Sequence, residues 1–362
     1  AAIAADETWD LVWQGAVMRR LRGRDLWNAI MKQTYAAAEP GVLFIDRINA
    51  ANPLRYLEVI AATNSCAEQP LPPNGTCPLA SINLAQLVSA PFTTDARLDV
   101  TQLRQLVRVA VRMLDNSLDV SRFALDAQRQ QAQDQRRIGV GVTGVANAIA
   151  MMGVRYGSSK AVFLLGSWMQ TIQNAAYGAS ALLANERGAF PLYDADKHLA
   201  SRGIQALDQD IRALVEQHGL RNGTLTTIAP TGTTSMFAGN VSSGIEPIFS
   251  TSFTRTITKA NGEKSSERVM DYAAWQFAQI YGPNAPLPDS FVTVADLSPV
   301  DHIAMQAAAQ EWIDSGISKT VNCPEDIPFE AFKGIYRAAY DAGCKGCTTY
   351  RPNAITGSVL SL

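Results

Sequence analysis

The sequence predicts an α/β protein, on three observations. Residues 317–321 read as strand, 329–342 as helix with Gly343 as its stop, and 346–350 as strand. That β-α-β unit needs parallel pairing across a right-handed crossover. Upstream, short apolar runs at 56–62 and 224–229 are separated by long stretches of helical pattern, the alternation of an α/β chain. A chain of 362 residues, 47% of them hydrophobic, can also bury a large core.

The elements follow in order. Residues 8–21 and 25–38 read as helices, and Pro40-Gly41 ends the second. The run Arg19-Arg20-Leu21-Arg22-Gly23-Arg24 is then a solvated helix end. Residues 56–62, apolar and partly β-branched, form a buried strand entering a proline-rich loop over 63–77. Asp99 or Thr101 caps a helix whose Leu103, Leu106, Val107, Ala110, Leu114 and Leu118 recur at i, i+3 and i+4. Residues 161–185 carry no charge, long enough on paper to span a bilayer. Gln170, Gln173 and Asn174 at its centre make it a helix buried inside a large protein instead. The 224–229 strand delivers Pro230-Thr231-Gly232-Thr233-Thr234-Ser235, and Ser298-Pro299-Val300-Asp301 is a helix start with cap, proline and acid in place.

Charge is nearly balanced, 31 basic against 33 acidic residues, so no nucleic-acid or membrane partner is expected. Five cysteines (66, 77, 323, 344, 347) form no regular framework, which favours a reducing, cytoplasmic setting. Asp6, Glu7 and Asp10 interrupt any secretory signal.

The chemistry concentrates in Asn64-Ser65-Cys66-Ala67-Glu68-Gln69-Pro70-Leu71, with Cys77 eleven residues after Cys66. In an extended loop alternate side chains share a direction, so Asn64, Cys66 and Glu68 converge on one small molecule. An amide for hydroxyls, a one-electron sulfur and a proton-accepting carboxylate suit attack on a polyol such as ribose; an inert core thiol is the competing reading. Residues 230–235 offer four hydroxyls and backbone N–H groups around one glycine, a cradle for phosphate oxygens or a bare turn. Gly139-Val140-Gly141-Val142-Thr143-Gly144 fits a dinucleotide fingerprint, but no acid occurs between Asp134 and Glu186, so close strand–helix packing is the reading. Cys344-Lys345-Gly346-Cys347 runs into a strand instead of opening a helix, which disfavours a redox pair, and with Cys323 it lacks a clear fourth ligand, so no metal site is expected. His198, His218 and His302 read as surface residues.

Asn-x-Cys-x-Glu followed by Gln-Pro-Leu resembles the finger loop of ribonucleotide reductase large subunits. Six further blocks stand in the family's order: residues 40–53, 136–142, 230–235, 243–247, 317–322 and 344–346. The resemblance implies a ten-stranded α/β barrel of two half-barrels with the finger loop through its middle. This chain would carry mainly the second half-barrel: a helical segment over 1–55, the catalytic portion over 56–350 with finger loop 63–77, and a tail over 351–362. It implies that Cys66 is the radical cysteine, Glu68 the base, Asn64 the residue that orients the sugar, and residues 230–235 (Pro230, Thr231, Gly232, Thr233, Thr234, Ser235) the substrate-phosphate loop. Cys77 would be a reductant that closes a disulfide with a cysteine of the first half-barrel. Ser65 and Ala67 stand where the family commonly has proline and glycine.

The eleven-residue spacing to Cys77 resembles the adenosylcobalamin-dependent members. So does Thr348-Thr349-Tyr350, where oxygen-dependent members carry two adjacent tyrosines. The cofactor implied is adenosylcobalamin. The implied partners are a ribonucleotide, a dithiol reductant such as thioredoxin and the N-terminal half-barrel, and a homodimer is compatible. An oxygen-dependent large subunit and a non-catalytic nucleotide-binding fragment are the alternatives. In the family several hundred residues precede the finger loop and here 65 precede Cys66, so the chain alone is expected not to turn over.

Overall fold

Parallel pairing organises the molecule. The computed structural model describes residues 2–258, 261–353 and 355. Leu79–Asn83 pairs in parallel with Gly139–Thr143. Val140 bridges to Thr226 and Ile228 to Ile317, again in parallel. Thr320–Asn322 then pairs with Gly346–Tyr350. Extended segments thus lie side by side in chain order, each step crossed by helices. At the far edge Gly346 and Cys347 meet Val42–Leu43 antiparallel. Among the described residues the row does not close into a barrel.

The segments are apolar throughout because both faces are covered. Every residue of Gly139–Thr143 is buried, and Ile138, Val140, Val142, Leu225, Ile228 and Val321 have almost no exposed surface. Burying each such side chain contributes roughly 1.5–3 kcal/mol. Gly139 and Gly141 serve neighbouring extended segments, a Cβ on Gly141 lying 2.1 Å from the Thr227 carbonyl oxygen, whereas Gly144 makes the expected approach to a helix, its Cβ position 3.2 Å from Ala85 in the short helix Leu84–Leu87.

The crossover helices follow their patterns. Asp99 caps Val100–Val120 by accepting from the Gln102 N–H at 2.9 Å. Its buried stripe holds Leu103, Val107, Ala110, Val111, Leu114 and Leu118, and leaves Leu106 outside. Ser158 caps Ser159–Arg187, which contains the uncharged stretch and buries Gln173, Asn174 and an alanine-rich face. No helix of the described residues is long and apolar enough to cross a membrane. Pro299–Gln310 starts on a full capping box of Ser298 and Asp301, and Phe329–Asp341 links the last two strands.

Two expectations near the start are overturned. Residues 8–21 are not helix: Thr8–Trp13 and Ala16–Arg22 form an antiparallel hairpin. Gln14 and Gly15 both take positive φ (47° and 81°), the two-residue turn that matches strand twist. The basic run therefore lies mainly on an exposed strand. The helix that follows is Gly23–Ala37. Residues 56–61 are not strand either. Asn52 turns the chain by accepting from the Leu54 N–H, and only Ala62–Thr63 is extended enough to pair. Most of the tail over 351–362 lies outside the described residues.

Candidate active site

The finger loop is a closed turn and not an extended one. Ala62–Thr63 and Pro70–Leu71 pair antiparallel, and Asn64 fastens the neck. Its N–H donates to the Gln69 carbonyl at 3.1 Å, and its Oδ1 accepts from the Gln69 N–H at 3.0 Å. Alternate residues therefore do not share a direction. Cys66 is exposed at the tip, while Glu68 and Gln69 are buried. The Asn64 side-chain oxygen is thus committed to the loop. Ala67 has φ +66°, the left-handed region that favours glycine, and it stands where the family commonly has glycine.

Two extended segments hold this turn. The Gly316 N–H donates to the Glu68 carbonyl at 2.8 Å, and the Thr227 hydroxyl donates to the same oxygen at 2.7 Å. Gly316 has to be glycine: a Cβ would stand 2.2 Å from the Ala67 oxygen. Beneath it, buried Lys345 donates to the carbonyls of Ile313, Asp314 and Ser315 at 2.9, 2.6 and 2.8 Å. The Asp314 carboxylate accepts from the Leu225 and Thr226 N–H groups and the Tyr177 hydroxyl. Burial pulls the Lys345 ammonium down to about 8 and pushes Asp314 up. The Glu68 carboxylate keeps one buried oxygen, Oε2, without a partner.

A cavity of about 710 Å³ opens beside Cys66, with Gly41, Gly316, Ser318, Gly346 and Thr348 among its walls. These side chains are all small. Thr349, the next residue, turns away and pairs with the Tyr336 hydroxyl at 2.8 Å. Asn64, Glu68, Cys77 and residues 230–235 are not among the walls. Cys77 is half-buried on another side, within the fields of Glu68 and Arg137, and burial pushes its thiol up to about 12. Arg137 itself is buried between Glu58 and Gln135.

Lys319 lines the cavity wall with its charge fully used. It donates to Glu246 Oε2 at 2.6 Å, His302 Nδ1 at 2.9 Å and the Thr320 carbonyl at 3.1 Å. His302 is therefore a buried acceptor, held neutral: burial and the Lys319 charge pull it down to about 3. His198 is also buried, packed among Tyr56, Phe190 and Tyr193. Both contradict the surface expectation: the fold brings Lys319 to one ring and an aromatic cluster to the other, and a neutral ring avoids the larger cost of burying a charge. Cys323 and Cys344 are buried thiols pushed up to about 12 and 11, and Cys347 is pushed up too. Among the described residues no group of His, Cys, Asp and Glu is placed to hold a metal ion.

The 224–229 strand expected from the sequence is reduced to isolated bridges at Thr226 and Ile228, and residues 230–235 lead from it into the short helix Gly232–Phe237. Gly232, Thr233 and Thr234 are exposed, whereas Thr231 and Ser235 are buried. Thr231 has φ +53°, a position that costs a β-branched residue about 1–3 kcal/mol unless its surroundings enforce it. They do: its hydroxyl meets Thr143 Oγ1 at 2.9 Å and accepts from the Gly244 N–H at 2.8 Å.

The model for the ribonucleotide reductase barrel domain matches residues 7–350. A vitamin B12-dependent ribonucleoside-diphosphate reductase of Mycobacterium tuberculosis (strain CDC 1551 / Oshkosh) is 37% identical over 96% of this chain and 49% of its own length. One so named from Thermoplasma acidophilum is 35% identical over 95% of this chain and 44% of its own. A ribonucleoside-diphosphate reductase subunit alpha of Chlamydia muridarum is 27% identical over 92% of this chain and 35% of its own. The chain spans about half the length of the first two relatives. A match over residues 7–350, together with these relatives, makes the chain a member of the ribonucleotide reductase barrel-domain family.

Proposed function

We propose that this chain is a catalytic portion of an adenosylcobalamin-dependent ribonucleotide reductase. The observation that carries the reading is the exposed Cys66 beside a cavity of about 710 Å³, with Thr348 in its wall where oxygen-dependent relatives carry a tyrosine. Gly41, Ser318, Gly346 and Thr348 leave room in the cavity wall and would face the cofactor beside the thiol. Bound adenosylcobalamin supplies a one-electron oxidant. The names of the relatives from M. tuberculosis and T. acidophilum support this class over the oxygen-dependent one.

Cys66, as a sulfur radical, takes the hydrogen atom from the ribose 3′ carbon and returns it at the end, the S–H and activated C–H bonds being comparable in strength. Glu68 Oε2, buried and without a partner, accepts the 3′-hydroxyl proton. Asn64 donates its side-chain N–H₂ to the ribose hydroxyls. The 2′-hydroxyl leaves as water, and Cys77 with a partner thiol gives two electrons and becomes a disulfide. Exposed Thr233 and Thr234 face the substrate phosphates. The parallel segments form the second half of a ten-stranded barrel completed by the rest of the protein.

The test is deoxyribonucleotide formation by the intact protein from ribonucleotides and dithiothreitol, with and without adenosylcobalamin. Product only with the cofactor is expected. Turnover without it favours the oxygen-dependent alternative, and nucleotide binding with no turnover favours a non-catalytic role.

A further inference from the structure

We infer that Asp271, acting through Asn147, Ser242 and Thr143, sets the conformation of the loop over 230–235 and is a positioning residue for it. The inference rests on reading that loop as the phosphate site. All five members, Thr231 included, are more than nine-tenths buried, so their hydrogen bonds can be followed proton by proton. The Asp271 carboxylate accepts from Asn147 Nδ2 with both oxygens at 2.8 Å, and from the Ala273 and Ala274 N–H groups at 3.0 and 3.2 Å. Asn147 is thereby oriented: its nitrogen faces the carboxylate, so its Oδ1 faces the Ser242 N–H and accepts from it.

Ser242 is held twice more, its Oγ accepting from the Ala146 N–H at 3.1 Å and its carbonyl from the Gly144 N–H at 2.7 Å. Thr143 gives its hydroxyl proton to the Ser242 carbonyl at 3.0 Å. The contact between the two threonine hydroxyls must then run from Thr231 to Thr143, and Thr231 accepts from the Gly244 N–H. The Thr231 hydroxyl consequently has no proton left for a ligand. Its work is to hold the left-handed backbone that turns Gly232, Thr233 and Thr234 outward. Reversing the donor sense at Asp271 turns Asn147 and breaks its bond to the Ser242 N–H.

The test in the intact protein reads amide hydrogen exchange over 231–235 and, separately, affinity for inorganic pyrophosphate. Asp271→Asn sets an N–H₂ against Asn147 Nδ2; exchange over 231–235 should quicken by about tenfold and affinity fall by a similar factor. Adding Asn147→Asp restores the pattern, since a carboxylate at 147 accepts from both Ser242 and the amide introduced at 271. Both readouts should return to within about threefold. Unchanged exchange in Asp271→Asn, or no recovery in the double variant, overturns the inference. If Asp271→Asn does not fold, Thr143→Val cuts the relay without a charge change and must itself quicken exchange; if it does not, the inference fails. Quickened exchange with unchanged pyrophosphate affinity leaves the relay standing and removes the phosphate reading of the loop.

Discussion

Ala67 sits at the tip of the finger turn with φ +66°, where its Cβ crowds the following carbonyl at a cost of about 1–2 kcal/mol. Ala67→Gly should therefore raise unfolding stability by about 1 kcal/mol, less the entropy lost by a freer unfolded chain, as read from the urea midpoint. Asp271 is the residue whose charge state should matter most for pH. Burial raises its carboxyl from an ordinary 3.8 to about 6. A raised acid gives its stabilisation in full below the unfolded value and loses it as pH rises through about 6, so ionisation costs the fold roughly 3 kcal/mol. The proton that favours folding faces the donor of Asn147 and disturbs the relay to Thr231. Nucleotide affinity should therefore fall as pH drops from 7.5 to 5.5, with no loss of melting temperature from this group. In Asp271→Asn that step should be absent. A parallel fall in affinity and melting temperature in both proteins would mean global acid unfolding.

At the scale of elements, the finger turn is held where the extended segment at Gly316 has no side chain. Gly316→Ala would place a Cβ 2.2 Å from the Ala67 oxygen, so either the turn or the segment must move, at a cost of about 1–3 kcal/mol. Gly334→Ala is the control: it lies within the helix Phe329–Asp341 with nothing near its Cβ. It should stabilise by about 0.5–1 kcal/mol. Chemical denaturation of the two variants checks the opposite signs. The helix starts at Asp99 and Ser298 and the last β-α-β unit were legible because cap, period and stop agree within a few residues. The hairpin over 8–22 was missed because its Trp and Val alternation also fits a helical face. Gly15, a hairpin signal between Trp13 and Ala16, was the clue that could have corrected it. The closed finger turn had no such signal. It depends on Asn64 and Asn49 bonding backbone groups five and eleven residues away. The buried histidines depend on partners such as Lys319 that only the fold brings near.

At the scale of the molecule, the segments paired in chain order put Thr227 and Gly316 against one finger turn. One side of that turn carries Cys66 and the cavity, and another carries Glu68, in whose field Cys77 lies. The motifs in the sequence named the residues but not this division, because their spacing says nothing of which way a turn faces. In the proposed chemistry this division puts the oxidation of Cys66 on one side and the reduction of the ribose on the other, so that chemistry passes through Cys66. The most direct measurement is deoxyribonucleotide formation by the intact protein carrying Cys66→Ser, with adenosylcobalamin and dithiothreitol, alongside its nucleotide affinity. A serine O–H bond is too strong to give up its hydrogen in the same step, so the account predicts no product above background with affinity within about threefold of the parent. Turnover within about tenfold of the parent would contradict it.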